Sequence, residues 1–258
     1  MRVFFLVLAR DGSEIERKAQ ELECLGFPYI IACGENVHHP NVVYREPHGK
    51  YDAINFASGL VPKDVEIVGL NDVDTKIHNL EAALRLLHQK NVSMVFGRVD
   101  VGLGPQLLFY SFLDALRRKI PISANGELML IKREVFEKIL PVEMCKAEDS
   151  YILFKVLEHG HKVAFCEECY VTTKRTTNAR QEEDYKRRTV GGIYQALSMT
   201  KPPRLVKLFY WLLPFLSPIL LILGGKGYYW TKGILLGFVD FVRGDRSGTW
   251  RSTYAQGK

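Results

Sequence analysis

Cysteine is scarce and odd in number. Cys24, Cys33, Cys145, Cys166 and Cys169 are thinly spread over 258 residues, which excludes a disulfide scaffold and leads us to expect reduced thiols in an intracellular catalytic region. The chain has no internal repeat and no low-complexity tract, and its composition excludes collagen and disorder. No small-residue cleavage site stands near Met1-Arg2-Val3-Phe4-Phe5, which runs straight into a strand-like apolar stretch. No glycine-rich loop follows Leu8, which disfavours a nucleotidyltransferase.

What is present is the balance of an ordinary globular protein, 47% apolar and 25% charged, long enough for one large domain or one domain with an appendage. The net charge of +6 is unevenly placed. Residues 201–258 hold nine Lys and Arg against Asp240 and Asp245, so residues 1–200 are close to neutral. The same tail holds Trp211, Trp230 and Trp250. Basic, aromatic and apolar residues together describe a membrane interface rich in anionic lipid. Leu208 to Gly225 is an uncharged run of 18 residues containing Pro214 and Pro218, just under the ~20 a spanning helix needs. A single crossing would set Lys226, Lys232, Arg243, Arg246 and Arg251 across the bilayer from the body, against the positive-inside tendency. A re-entrant hairpin or an in-plane helix pair avoids that, and a helix closing a soluble core is the bland alternative. Gly233 to Val239 is too short to span and suits an interfacial segment. The division expected is a catalytic domain over 1–200 and a membrane-associated tail over 201–258, at the cytoplasmic face.

Within the body, Val3–Leu8 reads as a buried parallel strand. Ser13 is a plausible cap for a helix with Ile15, Ala19 and Leu22 on one face, ended by Gly26. Pro28–Cys33, Asn41–Tyr44, Val65–Leu70 and Ser93–Phe96 read as further strands. Ile77, Leu80, Leu84 and Leu87 predict a helix following Thr75. Alternating strands and helices imply a mostly parallel α/β sheet with helices on both faces, whose ligands bind at the carboxyl ends of strands.

Asp72 and Asp74 stand at such an end. Two carboxylates one residue apart repel unless a cation lies beside them, and hard oxygen ligands favour Mg²⁺ or Mn²⁺ completed by substrate phosphates. The alternative is a solvated turn that caps the following helix. Gly49-Lys50-x-x-Ala53-Ile54-Asn55 lies upstream. Downstream come Asn125-Gly126-Glu127-Leu128-Met129, Lys132-Arg133-Glu134, Ala147-Glu148-Asp149, and Arg187-Arg188-Thr189-Val190-Gly191-Gly192-Ile193-Tyr194-Gln195. Taken in order over roughly residues 2–197, this set resembles the family 2 glycosyltransferases, which have the GT-A fold. Two early motifs depart from the family pattern: Leu8-Ala9-Arg10-Asp11-Gly12 after the first strand and Cys33-Gly34-Glu35-Asn36 after the second. Thr189 stands where the family has tryptophan, which argues against a processive polymer synthase.

The resemblance implies that Asp72 and Asp74 hold the metal and the nucleotide-sugar diphosphate, that Lys50 lies near the donor, and that Arg187 and Arg188 steady the leaving diphosphate. It also implies that Asp149 is the general base on an acceptor hydroxyl, with inversion at the anomeric carbon. The expected protein is thus a metal-dependent transferase moving sugar to a lipid-linked or polysaccharide acceptor. Two alternatives stay open: a polyprenyl-phosphate sugar transferase, in which Asp149 is only a helix N-terminal charge, and a non-catalytic membrane scaffold. The basic run Lys174, Arg175, Arg180 and Lys186–Arg188 is interleaved with Glu182, Glu183 and Asp184, so nucleic acid is not expected as a partner. Cys166-x-x-Cys169 with His159 and His161 has zinc-like spacing, but a lone pair of this kind is weak.

Overall fold

The structure, a computed structural model, describes residues 2–89, 91–100, 107–173 and 178–245. Lys174 and Arg175 of the basic run, and Arg246, Trp250, Arg251 and Lys258 of the tail, lie outside the described residues.

Among the described residues, eight strands form one sheet in the order β3-β2-β1-β4-β7-β6-β8-β5. They are β1 (Val3–Ala9), β2 (Tyr29–Cys33), β3 (Val42–Tyr44), β4 (Ile67–Asp72), β5 (Thr75–His78), β6 (Val92–Asp100), β7 (Leu128–Lys132) and β8 (Lys162–Thr173). The helices α1 (Ile15–Leu25), α2 (Lys50–Ser58), α3 (Leu80–His88), α4 (Leu107–Arg117), α5 (Arg133–Ile139) and α6 (Glu148–Glu158) lie on the two faces. Alternation along β1 shows why both faces must be covered. Phe4, Leu6 and Leu8 enter one core with Ile54, Phe136 and Ile152, whereas Val3, Phe5 and Val7 enter the other with Ile15, Leu22 and Leu84. Helix α1 ends at Gly26, whose φ of 72° is the left-handed conformation glycine adopts freely; its first turn carries no side-chain cap from Ser13.

The sheet is mixed. Four strand pairings are parallel, and the three antiparallel ones involve β7, between β4 and β6, and β5, against β8. The helix expected from Thr75 instead begins at Leu80. Thr75–His78 is a strand whose Thr75 and Ile77 are buried while Lys76 is exposed. Long-range pairing with Tyr170–Thr173 overrides the local helical spacing. Asp72 and Asp74 therefore precede a strand, and the helix-cap alternative for them fails.

Among the described residues beyond β8 lie α7 (Ala179–Met199), α8 (Arg204–Leu216), a 3-10 helix (Ser217–Leu223) and α9 (Gly225–Val242). Helices α7 and α9 cross at glycines. A Cβ on Gly233 would lie 2.6 Å from the Glu183 carbonyl oxygen, and one on Gly237 would lie 2.5 Å from that of Arg187. Gly233 to Val239, expected at an interface, thus gives its buried face to α7. Trp230, Ile234 and Gly237 are enclosed there.

Candidate active site

Strands β1 and β4 run parallel with Leu8 opposite Asp72, so both carboxyl ends open on the same edge of the sheet. A cleft of about 510 Å³ lies there. It is lined by Leu8 to Asp11, Cys33, Gly34, the Asp72–Asp74 turn, Lys50, Arg45, Glu148, Asp149, Tyr185 and Arg188. Five of the six residues the sequence singled out, namely Lys50, Asp72, Asp74, Asp149 and Arg188, line this one cleft.

Lys50 starts α2 after Gly49 and places its Nζ 2.8 and 2.6 Å from the two Asp72 oxygens, and 3.7 Å from Oε1 of Glu148. Burial by itself would lower the lysine, yet the carboxylates of Asp72, Glu148 and Asp74 outweigh it and hold Lys50 above its ordinary value. Glu148 is 9% exposed. Burial pushes it up to about 7, with Asp149 and Asp72 adding to the rise and Lys50 opposing it. Asp149 is also raised, by burial first, against the pull of the Ser150 amide, which donates to Oδ1 at 2.6 Å, and of Lys50. Gly126 closes over Asp149: a Cβ there would lie 3.1 Å from the Asp149 Cβ.

The acidic turn is braced from beneath by α1. Arg17 donates to the carbonyls of Val73 at 2.6 Å and Thr75 at 3.1 Å. Lys18, fully buried, pairs with Glu21 at 2.9 Å and reaches Thr75 Oγ1 at 3.4 Å; that hydroxyl in turn donates to the Asp72 carbonyl. Glu21 accepts the amide of Ile77, and Asn71 donates to the carbonyl of Glu127. Asn71 Oδ1 is buried without a partner.

The donor set suits a hard divalent cation. Asp72 and Asp74 present carboxylates from one turn, and among the described residues no group of three acidic, histidine or cysteine side chains could hold a metal alone. A shell of two protein carboxylates completed by phosphate and water is what Mg²⁺ or Mn²⁺ accepts. The Cys166-x-x-Cys169 pair belongs to no such group. It sits buried on β8, with the Cys169 amide 3.4 Å from Cys166 Sγ.

Arg187 points elsewhere. Its guanidinium donates to both oxygens of Asp240 on α9, at 2.5 and 2.8 Å, beside a smaller polar cavity lined also by Lys146, Asp184, Gln195 and Asp245. Arg188, one residue on and about 100° around the helix, lines that cavity and the main cleft. The Arg187 hydrogen bonds hold the Asp240 carboxyl below the usual carboxylate range. Its contribution to stability is present above the unfolded value near 4 and disappears as the pH falls through the folded one. Because Arg187 is 46% exposed, the effect is small, at most about 1 kcal/mol. Asp240→Asn should lower stability to urea at pH 7, and its gap to the wild type should close below about pH 4.

Sequence reasoning missed Glu148 as the second partner of Lys50, and it missed Lys146. Lys146 pairs with Asp245 at 2.5 Å, while its amide donates to Gln195 at 3.0 Å and Gln195 donates to the Asp245 carbonyl at 2.9 Å. Residues 146–149 are thereby tied to the end of α9.

No family model and no curated protein matches the sequence. Solved structures do resemble the fold. A mannosyltransferase from Pyrobaculum calidifontis, in complex with GDP-Man and Mn²⁺, matches with a TM-score of 0.69 at 17% identity, over 93% of this chain and 87% of that one. GalNAc-T7 with UDP, GalNAc and Mn²⁺ matches with a TM-score of 0.57 at 12% identity, over 95% of this chain and 56% of that one. At such identities the likeness is one of architecture, and the architecture is the GT-A fold.

Proposed function

We propose that this GT-A chain is a metal-dependent, inverting glycosyltransferase of the family 2 kind, moving a sugar from a nucleotide-sugar donor to a hydroxyl of a lipid-linked or polysaccharide acceptor. The observation that carries the reading is the convergence on one cleft of the Asp72–Asp74 turn, the Lys50 cation and a half-buried Asp149. The GDP-Man and Mn²⁺ of one structural neighbour, and the UDP, GalNAc and Mn²⁺ of the other, support it.

Bound at Asp72 and Asp74, a divalent cation would offset the charge of a donor diphosphate. Lys50, held between Asp72 and Glu148, and Arg188 from α7 add cations that do not depend on pH near neutrality. Asp149, across the cleft, takes the proton of the acceptor hydroxyl as its oxygen bonds to the anomeric carbon and the nucleoside diphosphate leaves. The raised basicity that burial gives this carboxylate suits the task. Arg187, committed to Asp240, acts at one remove by fixing the helix that carries Arg188. The five free thiols, four of them buried, support a reducing compartment such as the cytoplasmic face of a membrane.

Incubation of the purified chain with Mn²⁺ and a panel of UDP-, GDP- and dTDP-sugars should release nucleotide from one donor. Chelation should abolish release and Mn²⁺ restore it, and Asp74→Ala should remove it. No turnover, together with no rise in melting temperature on adding Mn²⁺ and nucleoside diphosphates, would leave a scaffold with a transferase fold.

A further inference from the structure

Helix α8 and the 3-10 helix after it form a 20-residue apolar stretch, Arg204–Leu223, containing an 18-residue window with a mean hydropathy of 2.0, of which 22% is buried. Its two sides differ sharply. Val206, Tyr210, Pro214 and Ser217 recur every three to four residues and face the body. Tyr210 donates to the Ile122 carbonyl at 2.8 Å and accepts at its own carbonyl from Tyr194 at 2.6 Å, and Thr231 donates to the Ser217 carbonyl at 2.8 Å. The other side carries Leu208, Trp211, Phe215, Ile219 and Ile222, which are 50–85% exposed. Single exposed apolar residues need no explanation, but a continuous row of this size on a helix marks a docking face.

Charge names the occupant. Residues 201–239 contain Lys201, Arg204, Lys207, Lys226 and Lys232 and no acidic residue; Arg204, Lys207 and Lys226 are exposed beside the apolar row. In a two-fold dimer through this face each copy would set basic residues against basic residues. An anionic bilayer instead attracts them, each at about 1 kcal/mol near the surface. A helix crossing the bilayer would have to leave the body, yet α8 is bonded to it through Tyr210.

We infer that the outer face of α8 and the 3-10 helix docks in the plane of one leaflet of an anionic membrane, without crossing it. The docking does not rest on the transferase reading.

The full chain should float with vesicles of phosphatidylcholine and phosphatidylglycerol, and far less with phosphatidylcholine alone. Trp211 fluorescence should be quenched more strongly by lipids brominated near the headgroup than by lipids brominated at the chain end. A Trp211→Phe variant subtracts the emission of Trp230 and Trp250. Phe215→Ser with Ile222→Ser, both at exposed positions, should weaken vesicle binding at least about tenfold with an unchanged melting temperature. Stronger quenching from the chain ends would overturn the in-plane geometry. Equal flotation with neutral vesicles would overturn the anionic preference. No flotation, with a dimer in solution that the double variant dissociates, would assign the face to a second copy. No donor or acceptor is used, so failure here leaves the catalytic reading standing.

Discussion

Asp149→Asn is expected to cut nucleotide release under saturating donor by about 10²–10⁴-fold, the usual contribution of a general base, while the affinity for Mn²⁺ and nucleoside diphosphate stays as in the wild type. The amide has the size of the carboxylate and keeps an oxygen to accept the Ser150 amide, so the packing against Gly126 survives. It cannot take a proton and it carries no charge, so the shape of the site is kept while its basicity is removed. Single-turnover kinetics beside calorimetric titration of nucleotide separates the two effects. Near-normal turnover in this variant would mean that the acceptor arrives already ionised. The reaction would then be transfer to a polyprenyl phosphate, with Asp149 reduced to a charge at the start of α6.

Gly192→Ala should damage both the fold and the cleft. A Cβ there would stand 2.7 Å from the Ala147 nitrogen, 2.8 Å from its Cβ and 2.9 Å from the Lys146 carbonyl carbon. None of these is the flexible end of a side chain. Either α7 shifts, taking Arg188 with it, or residues 146–149 shift, taking Glu148 and Asp149. A stability loss of about 1–3 kcal/mol is expected for such overpacking, seen as a fall of several degrees in melting temperature, and turnover should fall further than stability alone explains. Gly225→Ala, which meets nothing within 4 Å, should change neither.

Much of the fold and the cleft is legible in the amino-acid order alone. The apolar run of β1, the 3.6-residue spacing of α1 and the acidic pair after β4 are local signals. The ordered motifs from Gly49 to Gln195 identify the cleft walls without showing that they meet. What is illegible depends on distant partners. Ile77 shares the helical spacing of Leu80, Leu84 and Leu87, so nothing local announces that β8, over 90 residues on, claims it for a strand. Arg187 and Arg188 are adjacent in sequence, and only the position of Asp240 decides which of them the cleft receives. Lys18 is within reach of sequence reasoning: it falls with Ile15, Ala19 and Leu22 on the buried stripe of α1, and a lysine in that register needs a buried acid, which Glu21 supplies.

The bonds of Lys146 to Gln195 and Asp245 also set an order of events during synthesis. Asp245 lies 99 residues beyond Lys146, and the glycine faces of α9 that cover α7 are translated just before it. The segment carrying Asp149 therefore leaves the ribosome long before the groups that fix it, and the cleft is completed last, by residues that do not line it. A fragment ending near residue 200 would carry every residue assigned to the chemistry. It would nonetheless expose Val190, Ile193 and Tyr194 on α7 and leave residues 146–149 unfastened, so an expression boundary drawn at the end of the recognisable motifs is drawn too early.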